Sequence, residues 1–225
     1  MFQAIIDLFF PRVCSACLKA LNDHVEMICL DCRHDLPVTN FHVTKDESVK
    51  KVLYGRTKIE HATALFRFEK KSNVQQLIHN LKYKNQEEIG AFLGKWLGAE
   101  LQEAKDYQDI DLVIPVPLHQ NKLKTRGYNQ VAKFGEQIAK SLQAEYRDDI
   151  LLKVSKSKSQ VHKKRFARWQ NNSEQFTITD VESIKGKHIL IVDDLITTGA
   201  TIESCASVLN LADHIKISIA TMAIA

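Results

Sequence analysis

Two kinds of segment are missing from this 225-residue chain, and each absence narrows the class of protein. No G-x-x-x-x-G-K-[ST] pattern occurs, so no P-loop is present to cradle a nucleoside triphosphate. The apolar opening, residues 1–11, has no basic region before it, carries Asp7 and stops at Pro11, before it could span a bilayer. We expect neither a signal peptide nor stable membrane insertion. We interpret this opening as a short helix packed on the body, with a weak membrane-surface contact as the alternative.

The composition, 44% hydrophobic and 26% charged, predicts a soluble globular protein. A chain of this length can bury one α/β core with a small appendage left over. The formal net charge of +4 is mild, so an argument for nucleic-acid binding must rest on where the charges lie.

Four of the five cysteines form two C-x-x-C pairs, Cys14 with Cys17 and Cys29 with Cys32. This spacing is typical of a tetrahedral zinc site made of four thiolates. Such a site orders a segment that is too small to have its own core, and it leaves no open coordination position. We therefore predict a structural zinc ribbon and no catalytic zinc.

Two disulfides are the alternative use of these cysteines, but they would require an oxidising compartment. The expected absence of a signal peptide and the leftover Cys205 favour zinc and a cytoplasmic location. His24 and His34 are close enough in sequence to replace a cysteine ligand, although four cysteines suffice. We interpret Cys205 as a small buried residue on a helix.

The segment 189–201 carries the most specific pattern in the chain. A β-branched apolar run predicts a buried strand that stops at two adjacent carboxylates, and a Thr- and Gly-rich turn follows before a helix. Hydroxyls and backbone N–H groups at a helix N-terminus suit a phosphate dianion, and the carboxylates could accept hydrogen bonds from vicinal ribose hydroxyls. The candidate residues are Asp193, Asp194, Thr197, Thr198, Gly199 and Thr201.

This pattern resembles the PRPP-binding loop of the type I phosphoribosyltransferase fold, in which a hydrophobic strand, an acidic pair and T-T-G-x-T occur in this order. A Walker B element holding Mg²⁺ is a second interpretation, but it would need the P-loop that the sequence lacks. An ordinary strand-to-helix turn with a threonine cap is the third.

Strands and helices alternate along the rest of the chain. Periodicity predicts strands at 59–68, 112–117, 150–154, 176–178, 189–192 and 215–223, and helices at 74–81, 89–101, 131–142 and 200–211. This order predicts a doubly wound parallel α/β sheet whose ligand lies beyond the carboxyl ends of the strands. We divide the chain into a helix and zinc ribbon (1–40), a connector strand with covering helices (41–105) and a PRPP-binding domain (106–225), with residues 34–58 as a polar connector.

Two basic segments accompany the acidic pair. The first, 118–130, contains Lys122, Lys124 and Arg126 and no acid, and Gly127 permits close backbone approach. In the phosphoribosyltransferase fold the corresponding loop receives pyrophosphate, and Arg126 would be the better bidentate donor.

The second basic segment, 153–168, holds seven cations and no carboxylate, so like charges would keep it mobile without an anion. The cations are Lys153, Lys156, Lys158, Lys163, Lys164, Arg165 and Arg168. The segment could close over pyrophosphate as a lid, or it could follow a nucleic-acid backbone while nearby aromatic rings stack on unpaired bases. A solvated surface loop is the alternative for most of these lysines taken singly, and a core role is equally open for Phe166 and Trp169.

Taken together, these motifs resemble the ComF (ComFC-type) competence family over nearly the whole chain. The motifs are the two C-x-x-C pairs, L-I-H-N-L-K-Y at 77–83, P-V-P-L-H with R-G-Y-N-Q, R-x-x-R-x-x-N at 165–171 and V-D-D-L-I-T-T-G-A-T. The resemblance implies a PRPP-like ligand with Mg²⁺ at the 193–201 segment and zinc at the four cysteines. It also implies a role in handling incoming single-stranded DNA during bacterial natural transformation, alongside DNA-processing protein partners.

Two other functions stay open at this point. One is an active Mg²⁺-dependent phosphoribosyltransferase acting on an unidentified base or amine, and the other is a zinc-ribbon adaptor with a metabolite-sensing pocket. The sequence identifies no catalytic base, and no cysteine follows Met1 to release ammonia from glutamine.

Overall fold

A five-stranded parallel sheet organises the part of the chain that the computed structural model describes, residues 11–22, 25, 27–154 and 175–225. The strands in chain order are β1 (Ala62–Arg67), β2 (Leu112–Pro115), β3 (Glu145–Tyr146), β4 (Leu151–Val154), β5 (Gln175–Ile178), β6 (His188–Ile196) and β7 (Lys216–Ile224). The main sheet has the order β1-β7-β6-β2-β3, and every pairing in it is parallel. The predicted α/β fold class is thereby confirmed.

The central strand β6 is buried on both faces, which explains its continuous apolar run. Because side chains alternate along a strand, Leu190 and Val192 belong to one hydrophobic cluster while Ile189 and Ile191 belong to the cluster on the opposite face. The sheet therefore divides the core into two layers.

Helices cover both faces of the sheet. They are α1 (Leu30–Asp35), α2 (Phe41–Thr44), α3 (Ser48–Lys51), α4 (Asn73–Tyr83), α5 (Glu88–Glu103), α6 (Gln120–Arg126), α7 (Ala132–Leu142) and α8 (Ala200–Leu209). The apolar sides of α4, α5 and α7 share one core cluster, and the buried residues of α2, α3, α8 and the β4–β5 pair share the other. The doubly wound arrangement predicted from the alternation is present.

The prediction that the strand β6 stops at the two carboxylates is wrong. The strand continues through Asp193 and Asp194 to Ile196, because β7 pairs with it along this whole stretch. The two carboxylates therefore lie on a strand and point to opposite faces of the sheet.

Three further predictions differ from the structure. The predicted strands at 150–154 and 176–178 do not enter the main sheet, since β4 and β5 form a separate antiparallel pair. The predicted polar connector at 34–58 contains α2 and α3, and it buries Phe41, Val49 and Leu53 against the sheet. The basic segment 118–130 contains the short helix α6.

For two further predicted features, the structure gives no outcome. The predicted opening helix lies almost entirely on residues 1–10, outside the described residues. The division into the units 1–40, 41–105 and 106–225 stays a prediction.

Helices α5 and α7 approach each other closely at Gly94. A methyl group on Gly94 would lie 2.5 Å from the carbonyl oxygen of Phe134 and 2.9 Å from its Cα. At Gly90, one turn earlier on the same helix, the nearest such contact would be 3.4 Å, to the carbonyl oxygen of Gln130. The close approach therefore depends on the missing side chain at Gly94.

We expect Gly94→Ala to lower the free energy of unfolding by about 1–3 kcal/mol, because the backbone of Phe134 must move to admit the methyl group. Gly90→Ala is the matched control, and there the helix-propensity gain of up to about 1 kcal/mol should leave stability unchanged or slightly higher. Urea denaturation of both variants is the measurement. Equal stability of the two variants would contradict the close-packing argument.

Candidate functional site

Asp193 and Asp194 lie near the carboxyl end of β6, where the neighbouring strand β2 has already ended. The last pair between these strands joins Pro115 to Val192, so the carboxylates come immediately after it. Both are buried, at 9% and 5% exposure, and Asp193 Oδ1 accepts a hydrogen bond from the Asp194 backbone N–H at 2.8 Å. Such strand ends are where open α/β sheets bind ligands.

The carboxylate of Asp194 has two polar partners on the face covered by α4. Lys82 Nζ lies 2.7 Å from Asp194 Oδ1, and the side-chain amide of Gln130 donates to Oδ2 at 2.6 Å. A buried carboxylate is costly unless a countercharge and hydrogen bonds surround it, and these two groups supply both.

Lys82 was missed as a site residue by the sequence analysis. It lies in the last turn of α4, on the same side of the helix as Val74 and Ile78, which precede it at intervals of four residues. A lysine at the end of an apolar stripe, within the L-I-H-N-L-K-Y motif, was the signal that could have identified it.

The segment 118–130 is fixed against the end of α4 by several contacts. The Tyr128 hydroxyl donates to the Leu81 carbonyl oxygen, and the Arg126 guanidinium lies 5.6 Å from the centre of the Tyr83 ring. Arg126 also donates to the side-chain oxygen of Gln130, which in turn reaches Asp194. Of the predicted anion-binding residues, Arg126 is thus brought beside the acidic pair.

A pocket of about 670 Å³ lies between the end of α4 and the helix α6. We call it the cationic pocket, because Lys82, Lys122 and Arg126 line it together with Tyr83, Thr125 and Tyr128. None of the described residues lining it is acidic. Lys124, the third predicted cation of this segment, is exposed on α6 and does not line the pocket.

The turn after β6 places the first turn of α8 at the same edge of the sheet. Gly199 precedes α8 with a φ of 74°, a left-handed conformation that favours glycine, and no side chain caps the helix there. Thr197 and Thr198 are exposed and Thr201 is partly exposed. The N–H groups of a first helical turn lack intrahelical acceptors, so this terminus suits an anion.

Arg56 holds this turn through two hydrogen bonds. Its guanidinium donates to the Thr198 carbonyl oxygen at 2.6 Å and to Glu203 Oε2 at 2.8 Å. It comes from the segment that the sequence analysis treated as a connector, where no local pattern marked it. Arg56 is therefore a second residue of the site that sequence reasoning missed.

The remaining predicted anion-binding residues, Lys163, Lys164, Arg165 and Arg168, lie outside the described residues.

The four cysteines of the two C-x-x-C pairs come together. Their sulfur atoms all lie within 4.8 Å of one another, and the sulfurs of Cys17 and Cys29 are 3.7 Å apart. Tetrahedral zinc with Zn–S bonds of about 2.3 Å places its sulfurs about 3.8 Å apart. The cluster therefore has the donor set and the approximate spacing of a site that could hold a metal ion.

Backbone N–H groups approach the sulfurs of this cluster. Burial opposes ionisation of the Cys14 thiol, but hydrogen bonds from the backbone of Cys17, Cys29 and Ala16 outweigh it and lower its pKa to about 7. Burial, followed by the neighbouring sulfurs, raises the pKa of Cys32. Without a cation, four clustered sulfurs resist simultaneous ionisation, whereas a bound metal ion would favour the thiolates.

The cysteine cluster packs on α4. The side-chain amide of Asn73 lies 3.5 Å from Cys32 Sγ, and the amide of Asn80 donates to the Ser15 carbonyl oxygen at 3.0 Å. His34 is 92% exposed and contacts Asp35, so it does not join the cluster, and His24 lies outside the described residues. Cys205 is buried on α8, as expected.

Over the residues that the structure describes, none of the helices combines the length and the apolar character needed to cross a membrane.

Comparison with known protein families first defines the class. Residues 132–223 match the family model of the phosphoribosyl transferase domain. Together with the parallel sheet, this match assigns the chain a type I phosphoribosyltransferase-like fold, to which an N-terminal cluster of four cysteines that could form a zinc site is added.

Curated relatives then narrow the assignment. The chain is 26% identical to DNA utilization protein YhgH of Shigella flexneri over 203 residues, 88% of this chain and 83% of the relative. It is 28% identical to Competence protein F of Haemophilus influenzae over 137 residues, 59% of this chain and 60% of the relative. The chain is a homologue of these DNA utilization and competence proteins, and the resemblance to the ComF family is confirmed.

Solved structures that the chain matches include a glutamine PRPP amidotransferase from B. subtilis, 17% identical with a TM-score of 0.40. The match covers 62% of this chain and 30% of the amidotransferase, so the chain spans less than a third of that protein's length. A hypoxanthine phosphoribosyltransferase from Staphylococcus aureus is 23% identical, with a TM-score of 0.37, over 64% of this chain and 69% of the enzyme. The fold assignment itself rests on the strand order and the family model.

Proposed function

We propose that this protein binds PRPP, or a similar sugar phosphate, together with Mg²⁺, and handles single-stranded DNA during natural transformation. The observation that carries the first part is the buried pair Asp193 and Asp194 between an uncapped helix N-terminus and a pocket lined by cations. These three features match the three parts of PRPP, which are a diol, a phosphate and a pyrophosphate.

The 5-phosphate would lie at the start of α8. Backbone N–H groups of the first helical turn and the hydroxyls of Thr197, Thr198 and Thr201 would donate to its oxygens. The hold of Arg56 on the Thr198 carbonyl oxygen supports this role, because it fixes the turn before a ligand arrives.

The ribose hydroxyls would donate to the carboxylates of Asp193 and Asp194, which accept hydrogen bonds when ionised. The pyrophosphate would lie in the cationic pocket, where Arg126 offers a planar fork and Lys122 a point charge. Carboxylate and phosphate oxygens are the ligands that Mg²⁺ prefers, so the ion would neutralise charge between the acidic pair and the pyrophosphate.

We expect Asp193→Asn and Asp194→Asn each to weaken PRPP binding about 10- to 100-fold, because a hydrogen bond to a charged group contributes about 1.5–3 kcal/mol. Calorimetric titration of PRPP in the presence of Mg²⁺ is the measurement. Asp213→Asn is the matched control, since Asp213 is exposed and lies outside this site. Thermal melting of each variant would show that the fold is kept, and undiminished PRPP binding by both site variants would contradict the proposal.

An active phosphoribosyltransferase is the alternative for the same pocket. Pyrophosphate release from PRPP on addition of a base or amine, lost in Asp194→Asn, would support that alternative over binding alone. The absence of release with PRPP still bound would favour a binding role.

We also propose that the four-cysteine cluster holds structural zinc. The sulfur spacing supports it, and an all-cysteine set leaves no open position for a substrate. The bound ion would stabilise the short segment that carries the cysteines and that contacts α4 at Asn73 and Asn80.

We expect the purified protein to carry about one zinc ion per chain and Cys17→Ser to lose most of it, with a lower melting temperature. Cys205→Ala is the control, because Cys205 is buried on α8 away from the cluster. Elemental analysis combined with thermal melting, with and without chelator, measures both effects. Full zinc retention by Cys17→Ser would contradict this assignment.

The names of the homologues and the local clustering of positive charge support the role in DNA handling. The basic segment 153–168 carries seven cations and no acid, and the cationic pocket adds exposed aromatic surface at Tyr83. Cations neutralise the phosphates of a single strand while aromatic rings stack on its bases.

We expect a variant with Lys163, Lys164, Arg165 and Arg168 all changed to Gln to bind single-stranded DNA more weakly at every salt concentration tested. The slope of the logarithm of its affinity against the logarithm of the salt concentration should become shallower by up to about 3. The reason is that each lost phosphate contact lowers the magnitude of this slope by about 0.7. The matched control removes the same number of positive charges elsewhere, by changing the exposed Lys58, Lys140, Lys185 and Lys187 to Gln. Fluorescence anisotropy with a labelled oligonucleotide measures both, and equal losses in the two variants would show that only net charge matters.

A further inference from the structure

Lys82 belongs to two parts of the site at once. Its side chain lines the cationic pocket, and its ammonium lies 2.7 Å from Asp194 Oδ1. The side chain of Lys82 is 22% exposed and that of Asp194 is 7% exposed. The contact is therefore a largely buried ion pair at the boundary between the pocket and the acidic pair.

The second oxygen of Asp194 is also connected to the pocket. Gln130 donates to Asp194 Oδ2 and accepts a hydrogen bond from Arg126, another residue that lines the pocket. One carboxylate oxygen of Asp194 therefore contacts a pocket cation directly, and the other is linked to a pocket cation through Gln130. A ligand hydroxyl that approaches Asp194 must compete with these contacts.

We propose that Lys82 couples anion binding in the cationic pocket to diol binding at Asp194. An anion in the pocket attracts the ammonium of Lys82 away from the carboxylate, and Asp194 Oδ1 then becomes available to a ribose hydroxyl. This inference rests on the proposed function, because it assumes that a sugar phosphate and pyrophosphate occupy the same site. Lys82 acts here as a positioning residue that moves between two anionic partners.

The physical basis is that the Asp194 carboxylate and an anion in the cationic pocket compete for the partly buried ammonium of Lys82. A single ammonium has three donors, but a charge largely removed from water is attracted strongly by whichever anion is nearest and most charged. Pyrophosphate carries more charge than one carboxylate. Because coupling between two ligands is reciprocal, a diol that displaces Lys82 from Asp194 should also strengthen anion binding in the pocket.

The test measures the affinity of ribose 5-phosphate by calorimetry, in the presence of Mg²⁺, with and without saturating pyrophosphate. We expect pyrophosphate to strengthen ribose 5-phosphate binding at least about fivefold in the unmodified protein, the lower end of common coupling factors. In Lys82→Gln, pyrophosphate should strengthen ribose 5-phosphate binding less than about twofold. Without pyrophosphate, this variant should bind ribose 5-phosphate no more weakly than the unmodified protein does. Lys82→Arg should keep part of the coupling, since it keeps the charge.

Lys84→Gln is the matched control. Lys84 is exposed two residues further along, does not line the pocket, and its substitution removes the same charge, so the coupling should be unchanged. If Lys82→Gln alone loses its fold because Asp194 is left without its countercharge, the double variant Lys82→Gln/Asp194→Asn removes both charges. In that variant pyrophosphate should not strengthen ribose 5-phosphate binding.

Three results would overturn the inference. They are full coupling in Lys82→Gln, equal loss of coupling in Lys84→Gln, and independent binding of the two ligands to the unmodified protein. Independent binding would leave the proposed sugar-phosphate site intact, because both ligands would still bind. Failure of the unmodified protein to bind either ligand would instead refute the proposed function, and the inference with it.

Discussion

The buried carboxylate of Asp194 is the constraint on which the rest of the site depends. It lies on the central strand β6, whose apolar run is buried on both faces of the sheet. A charge in such a place requires a countercharge and hydrogen bonds nearby. The chain meets this requirement with Lys82 from α4 and Gln130 from the segment before α7, so α4 and this segment are both held to the same strand end.

The ion pair of Asp194 joins a residue inside the matched domain to Lys82, which lies outside it. The phosphoribosyl transferase match begins at residue 132, yet Lys82, Arg56 and Arg126 all come from before it. Residues from before the matched domain therefore contribute side chains to the candidate site. The segment that carries the cysteines contacts Asn73 and Asn80 of α4, and the same helix carries Lys82 in its last turn.

The sequence predicted the features that neighbouring residues encode. The two C-x-x-C pairs, the apolar run of β6, the acidic pair and the helices around Leu77, Leu97 and Ile138 were all recognisable, because each depends on spacing along a few turns or strand residues. The sequence did not show that β4 and β5 pair with each other outside the main sheet. A short strand shows the same local pattern whichever sheet it joins, so this choice depends on distant residues.

What the sequence determined by itself is the chemistry available at the site, which comprises two carboxylates, a Thr- and Gly-rich turn, basic segments and four thiols. What only the tertiary structure decided is which of these groups meet. Lys82 and Asp194 are 112 residues apart, and their contact follows from the strand order and from the packing of α4 on one face of the sheet. The physical reason is that a long-range ion pair leaves no periodic or spacing signal, since the two partners satisfy each other only after the core has brought them together.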